Sequence, residues 1–596
     1  MSCRTRPRRC PTRGVTTAVA VVASVASVLG CGSQGTASIR GLHTLDAVVR
    51  VADVGAPSIG ALSLPVPGDA TVVAPWGSDS NSGTSSDPLR TLGHAVVVAP
   101  WGGTIVMRGG SYHEDVTTPY GKRLTIQPWP WESVWLDGSQ ATSGWVSSGS
   151  AWRLDGWDVD YDNRDTTGVM VTPAYPAAAY SAELFVDGVS QRQVLSRSAV
   201  VPGTFYVDEP GHRVYLGSSP YGHSVRISDL QDALFVNGGA GSAIIGIGFR
   251  RYATPVVRIG TVKMYADGAR VEDCVFQDNA LAGLSLNGSG ITVSNSTFAR
   301  NGQLGLQANQ SDDLTTQSLE ISDNNTEHFA TNQAAGGMKV TASRRVTVKD
   351  NRIERNSGVG LWLDQSVLHA VVVRNRLLSN VRDGCLFEIS ADLAFVDNIA
   401  SGNGVSGLRV LEAGHVRAWY NTLTGNIRAI DMMDGGRRAS QAGAAGLDPR
   451  YGTADASLTW EVTDVDLRGN VEGDGPSGAQ YVLGYDDARK TYGAQSRRIT
   501  SDRNGFFHTS GSPRWLVAWG SYPSGMRVFT SLSAFRSYSG QDWHSTEVWA
   551  GTDPWSWLRN TPAGLASVPQ GPALPTDLAG WAGLVAGRTY PIGAQL

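Results

Sequence analysis

Charge is scarce in this chain. Only 17% of its 596 residues are Asp, Glu, Lys or Arg, against roughly a quarter in an average globular protein. Neither sign dominates, because 49 Lys and Arg face 53 Asp and Glu for a net charge of -4. So close a balance leaves no electrostatic footprint for nucleic acid, and no nucleic-acid partner is expected. Cysteine is rarer still, at five residues. Cys3, Cys10 and Cys31 lie near the N-terminus, leaving only Cys274 and Cys385 in the rest of the chain. Two cysteines several repeats apart exclude a disulfide scaffold and read as small buried core residues. No Cys/His spacing of the zinc-binding kind occurs, and no glycine-rich phosphate loop precedes a helix. Apolar runs of membrane-spanning length are missing as well.

The one sizeable apolar run, Val15 to Leu29, follows Arg4, Arg6, Arg8, Arg9 and Arg13. That order of a basic stretch and a short apolar stretch is the order of a secretory signal. Val28-Leu29-Gly30-Cys31 resembles the lipobox of bacterial lipoproteins, in which the cysteine carries the lipid. An ordinary cleaved signal and a lipoprotein signal are both open here. Either one predicts export: secreted, or anchored at the outer face of the membrane through a lipid on Cys31.

Glycine is abundant at 71 residues, and so is Trp at 18. The glycines fall in a pattern. Between Ala269 and Gly435 a phrase ending in Asn returns at Asn279, Asn301, Asn356, Asn380, Asn403 and Asn426, every 22 to 24 residues apart from one longer interval. A second phrase keeps step: Gly283-Leu284, Gly305-Leu306, Gly337-Met338, Gly360-Leu361, Gly384-Cys385, Gly407-Leu408. An alternating apolar phrase such as Val346-Thr347-Val348 precedes each Asn. A repeat this short holds two or three strands with Gly and Asn corners, and it has no room for a helix besides. The expected fold is all-β, a right-handed parallel β-helix of roughly three strands per turn, with turns stacked at about 4.8 Å. Asn351, Asn375, Asn398 and Asn421 would then form a column whose amides bond along the stack.

Two further stretches carry a family resemblance. Val73 to Thr84, then Asp87-Pro88-Leu89-Arg90-Thr91, then Gly102 to Tyr112 resemble the opening of bacterial secreted right-handed β-helix proteins of the polysaccharide lyase and glycoside hydrolase kind. The resemblance implies a short N-terminal capping helix at Thr91 to Ala95, a β-rich insert and a closing C-terminal turn near Leu532 to Ser545. The resulting division is a signal at 1–31, a linker at 32–70, a cap with the first turns at 71–165 and the insert at 166–230. The solenoid follows at 231–547 and a closing tail at 548–596. Asp79 and Asn81 read as turn residues.

Strand alternation selects the outward side chains. After each corner Gly the first and third residues are apolar and point inward, so the second and fourth point out. One outward column is Gln307, Lys339, Trp362, Leu386, Arg409, Asp431, and its neighbour is Asn309, Thr341, Asp364, Glu388, Leu411, Met433. Asp364 and Glu388 share a site on adjacent turns. Like charges so close push one pKa up, which is how a shared site supplies an acid and a base. Their expected role is catalytic, with Lys339 as a further base, or as ligands of Ca²⁺. Trp362 is expected to lie exposed as a stacking platform, with Arg409, Gln307, Asn309 and Glu412 as substrate contacts, and His328, His369 and His415 on neighbouring loops. The expected partner is a polysaccharide, acidic or neutral, cleaved by a lyase or a glycoside hydrolase. The alternatives are a non-catalytic surface protein binding glycan or protein, and a uronate epimerase. No cofactor other than Ca²⁺ is expected. Widened loops at 310–316 and 330–335 are expected to wall the same face.

Overall fold

The computed structural model describes residues 54–595, except 442, 452–454, 509–510, 522 and 550–567. The expected signal segment with Cys31, most of the expected linker, and the tail residues Asp553, Pro554 and Pro562 lie outside the described residues.

One turn shows how the chain is built. Gly336–Thr341, Thr347–Lys349 and Arg352–Glu354 are three short strands separated by tight corners. Each pairs in parallel with its counterpart one turn on: Lys339 with Trp362, Val348 with Val372, Ile353 with Leu377. Repetition makes three sheets of 13 strands among the described residues, here called face one, face two and face three in chain order from Gly336. Every turn sends its apolar residues inward. Met338, Leu361, Cys385, Leu408 and Ile430 are buried from face one, against Val348, Val372 and Phe395 from face two and Ile353 and Leu377 from face three. Like residues stack, as Phe249, Phe276 and Phe298 do with ring centroids 5.1 and 4.8 Å apart. The architecture is a parallel β-helix. Cys274 and Cys385 are buried, unpaired thiols in its core.

The Asn phrases form two ladders. In one, Nδ2 of Asn351 donates to Oδ1 of Asn375 at 3.0 Å, and Asn375, Asn398, Asn421, Asn470 and Asn504 continue it. The other runs through Asn279, Asn301, Asn324, Asn356, Asn380, Asn403 and Asn426. Asn324 fills the interval that the sequence left open. Each amide also serves backbone groups that the corner would otherwise bury without a partner. The residue before each rung of the second ladder is left-handed, from Asp278 at φ 55° to Gly425 at 69°. Non-glycine residues there cost about 1 kcal/mol, which the ladder bonds offset. The recurring corner Gly has a separate cause. A Cβ on Gly360 would come within 2.7 Å of both Asn380 Nδ2 and the carbonyl oxygen of Gly384. Only glycine lets face one approach the ladder.

Both ends are closed, which removes sheet edges. Helix α1 (Leu92–Val98), capped by the Thr91 side chain, buries Leu92, Ala95 and Val96 at the first turns. Asp79 braces it by accepting from the backbone N–H groups of Arg90 and Thr91, and the Asn81 amide donates to the Pro88 carbonyl. At the far end α2 (Leu532–Ser539) buries Leu532 and Phe535. Three boundaries differ from the sequence expectation. The insert begins at Ser139, not 166, because Ser139–Ala141, Val146–Ser148 and Ala151–Asp155 belong to its eight-stranded sheet. Residues 54–70 are no free linker. Gly55 N–H donates to the Ser318 carbonyl and Pro65 accepts from the Gln127 amide, so the segment lies along the solenoid. Third, the stretch 310–316 is an ordinary corner and strand, and the extra residues of that turn are 325–335. The described tail folds back over face two, where α3 (Thr576–Ala582) packs Leu578, Ala579 and Ala582 on Val373, Ala394, Val396 and Trp419.

Candidate functional site

The register bears out the first outward column of face one throughout, and the second on either side of the step from Asp364 to Glu388. Gln307, Lys339, Trp362, Leu386, Arg409 and Asp431 lie in line, as do Asn309, Thr341 and Asp364, with Glu388 beside Leu411. Segments rise at both corners of the face. On one side, Phe329 and Ala335 of the widened turn pack on Met170, Ala178 and Ala179 of the insert. On the other, the described residues between 435 and 464 run back across several turns. Trp460 and Ala439 cover Ile389, Ser366 Oγ donates to the Gly446 carbonyl at 2.8 Å, and Arg450 pairs with Asp312 at 2.8 Å. Face one is therefore the floor between two walls.

Along that floor the charges form a connected network. Asp364 pairs with Lys339 at 2.9 Å and accepts from the Gln365 N–H at 2.7 Å. Glu388 accepts from Arg437 at 2.6 Å and from the Trp362 indole at 3.1 Å. Arg437 also holds Glu412, through its guanidinium and through its backbone N–H at 2.7 Å. Beyond them, Asp431 is shared by Arg409 at 3.3 Å, Arg428 at 2.8 Å and the Tyr481 hydroxyl at 2.7 Å. Burial pushes the Glu388 carboxyl above its ordinary range and the Asp364 charge adds to this, with Arg437 opposing. Asp431 ends below its ordinary value, because Arg428 and Arg409 more than offset its burial.

Trp362 corrects the sequence expectation. Its ring is only 5% exposed, packed with Val359 and Leu386 and covered by the Lys339 ammonium 3.5 Å from the ring centroid. Alternation placed it outward, but neighbouring turns and the stem of Lys339 close over it, so it offers no sugar platform. Lys339 is engaged as the counter-ion of Asp364 and also donates to the Gln333 carbonyl. Arg409 and Glu412 are likewise held in ion pairs, while Gln307 and Asn309 are half-buried further along the floor. The three histidines lie outside the charge network, His328 in the wall formed by the widened turn and the insert. His328 stacks on Tyr175 at 4.2 Å, His369 pairs with Asp392, and His415 lies 3.7 Å from Asp464.

The donor set does not suit Ca²⁺. Lys339 and Arg437 occupy the positions beside Asp364 and Glu388 that a divalent ion would take, and no group of three or more His, Cys, Asp or Glu among the described residues could hold a metal. A hard cation needs six or more oxygens.

Arg437, Arg428 and Tyr481 of this network escaped sequence reasoning, and so did Asp383 beside it. Arg437 belongs to an insertion with no repeat to index it. Asp383 had a legible signal: in the position before the corner Gly, Ala282, Leu304, Gly336, Val359 and Ser406 are uncharged and Asp383 alone is acidic. It is fully buried, with the Arg382 guanidinium 4.0 Å away, and burial pushes its carboxyl above the ordinary range with Arg409 and Arg382 opposing.

The model of the right-handed β-helix region matches residues 260–427. An uncharacterised protein of Bacillus subtilis (strain 168), YwoF, is 34% identical over 80 residues, 13% of this chain and 17% of that protein. The chain thus matches about a sixth of that curated relative's length. Among solved structures, a complex of XylC with xylose superposes with a TM-score of 0.60 at 16% identity, covering 81% of this chain and 86% of the other. The periplasmic alginate epimerase AlgG superposes more loosely, with a TM-score of 0.38 at 11% identity over 78% and 84%. Parallel pairing on three faces, the matched repeat region and the XylC superposition establish that the chain folds as a right-handed parallel β-helix.

Proposed function

We propose that the protein is an exported carbohydrate-active β-helix that cleaves a polysaccharide on face one by glycoside hydrolysis. Glu388 is the general acid and Asp364 its partner, held by Lys339. The observation that carries this is the contrast within the pair. The two carboxyls sit on adjacent strands, one held by Lys339 and the other pushed up by burial and by its neighbour's charge. Environments that separate two carboxyls in this way assign acid and base. A strand spacing of about 4.8 Å is compatible with the roughly 5 Å carboxyl separation of a retaining glycosidase. The sugar-bound XylC structure, which shares the fold, supports the substrate class. A lyase is less favoured, because Lys339, the amine nearest the pair, is committed to Asp364.

The test is digestion of a polysaccharide panel by the full chain. New reducing ends without an unsaturated, ultraviolet-absorbing product are expected, with Glu388→Gln and Asp364→Asn each lowering the rate at least about a hundredfold. An unsaturated product would select a lyase instead. A second reading, a non-catalytic glycan binder, is favoured by one observation: Asp364 and Glu388 are only 4% and 6% exposed. Binding without either product selects it.

A further inference from the structure

The floor of face one changes character upstream of Asp364. Its side chains there are Phe235, Tyr265, Asn287, Gln307, Asn309 and Thr341, all partly open to solvent. The second outward column supplies Tyr265, Asn287, Asn309 and Thr341, while in the first Phe235 and Gln307 are separated by the buried Lys263 and Ser285. None of the six carries a charge, and the charge of Lys263 is paired with Asp232. Phe235 and Tyr265 meet edge to face at 5.3 Å. The polar members are held in place: Thr341 Oγ1 donates to Asn309 Oδ1 at 2.9 Å, Asn287 Nδ2 to the Asn309 carbonyl at 2.9 Å, and Gln307 Nε2 to the Ile259 carbonyl. Gln307 Oε1 and Asn309 Nδ2 have no partner among the described residues, leaving one fixed acceptor and one fixed donor side by side.

The cations closest in register to the strip are matched, and Arg344 beyond Thr341 lies over the Tyr451 ring. Lys263 and Arg258 lie 2.9 and 3.5 Å from Asp232, Lys339 pairs with Asp364, and Arg437 with Glu388 and Glu412. Asp115 adds a further carboxyl near Asp232, pushed above its ordinary range by burial and by that neighbour. A polymer with a carboxylate on each sugar needs unmatched cations in register with it. To recruit Lys263 or Lys339 it would have to break an ion pair that is largely out of water, leaving an uncompensated carboxylate behind. A neutral sugar asks for what the strip offers: the partly open ring of Tyr265 for its apolar face, with Phe235 packed beside it under the Lys263 ammonium, and a donor and acceptor for its hydroxyls.

We infer that the strip from Phe235 to Thr341 holds a neutral polysaccharide chain lying along the solenoid axis, and that polymers built of uronic acid are not accommodated. The inference rests on the reading of face one as a carbohydrate site, and it adds the substrate class and the direction of the chain.

The experiment measures binding and reducing-end release by the full chain with neutral polymers (xylan, galactan, glucan) and with uronate polymers (alginate, polygalacturonate). At least one neutral polymer should bind or be cut about tenfold better than either uronate. Gln307→Ala and Asn309→Ala should each weaken that binding about tenfold, with the thermal midpoint held as a check on folding. Tyr265→Phe, which keeps the packing, gives a second readout and should weaken binding less. Binding of a neutral polymer that fades in these variants, with no cleavage, upholds the strip and removes the hydrolytic assignment. Uronate polymers bound or cut in preference overturn the strip while leaving face one a carbohydrate site. Binding of neither class, or neutral binding indifferent to Gln307 and Asn309, overturns the inference.

Discussion

At the scale of single residues the decisive contacts are those that Lys339 and Arg437 make with the two carboxylates. Arg437 opposes the upward displacement of the Glu388 pKa. If Glu388 is the acid, activity is lost as pH rises through its pKa. Arg437→Ala should therefore raise that pKa further and move the alkaline limb of the kcat/KM profile to higher pH, while lowering the rate. An unmoved limb would show that another group is titrating. Trp362 makes a different prediction because it is buried. Trp362→Ala should cost about 3–5 kcal/mol of stability, measured by denaturant unfolding. Phe or Tyr at that position should restore most of it, which a sugar-stacking role would not require. The position was readable as outward from alternation alone. That the ring would be covered was not, because coverage depends on how Lys339 lies across the next turn.

At the scale of the strand and corner, the ladders carry most of the specificity of the stack. Asn380 accepts from the backbone N–H and side-chain amide of Asn356, and donates to Asn403 and to the Ile353 carbonyl. Asn380→Ala would leave those buried groups unpaired, at a cost of about 2–3 kcal/mol. An exposed residue of the same turn, such as Val381, should tolerate the change to Ala with little loss. Paired unfolding midpoints of the two variants check this. The rungs were legible because each is spaced by one turn from the next. Asn324 was obscured by the eleven residues 325–335 that swell its turn, and Arg437 by the lack of any repeat in 435–464. An insertion carries no period, so nothing in the chain indexes which turn it covers.

At the scale of the whole molecule, two contacts between distant segments stand out. The tail covers Val373, Ala394, Val396 and Trp419, an apolar strip on the outer side of face two. Removing residues 568–595 should expose that strip, lower the unfolding midpoint and promote self-association detectable by light scattering. Beside the apolar contact of insert and solenoid lie two acids, Glu183 and Glu327. The buried Glu183 is raised by desolvation with the Glu327 charge adding to it, and the half-buried Glu327 is itself pushed up by desolvation to about 7. Because the folded state holds the proton more tightly, this contribution to stability is full below the ordinary carboxyl range and fades as pH rises through about 7. The unfolding midpoint should therefore fall from about pH 5 to about pH 8, and Glu327→Gln should flatten that slope.

The sequence by itself determined the solenoid. Short alternating strands and a recurring Asn–Gly corner have one economical packing, and local chemistry repeats it turn after turn. Column membership followed too, since alternation assigns each residue to a side of the sheet. Tertiary structure alone decided which outward residues meet solvent, which cation each carboxylate holds, and that residues 54–70 and the tail lie along the solenoid. Those outcomes depend on inserts and ends that obey no repeat, and on side chains whose reach spans neighbouring turns.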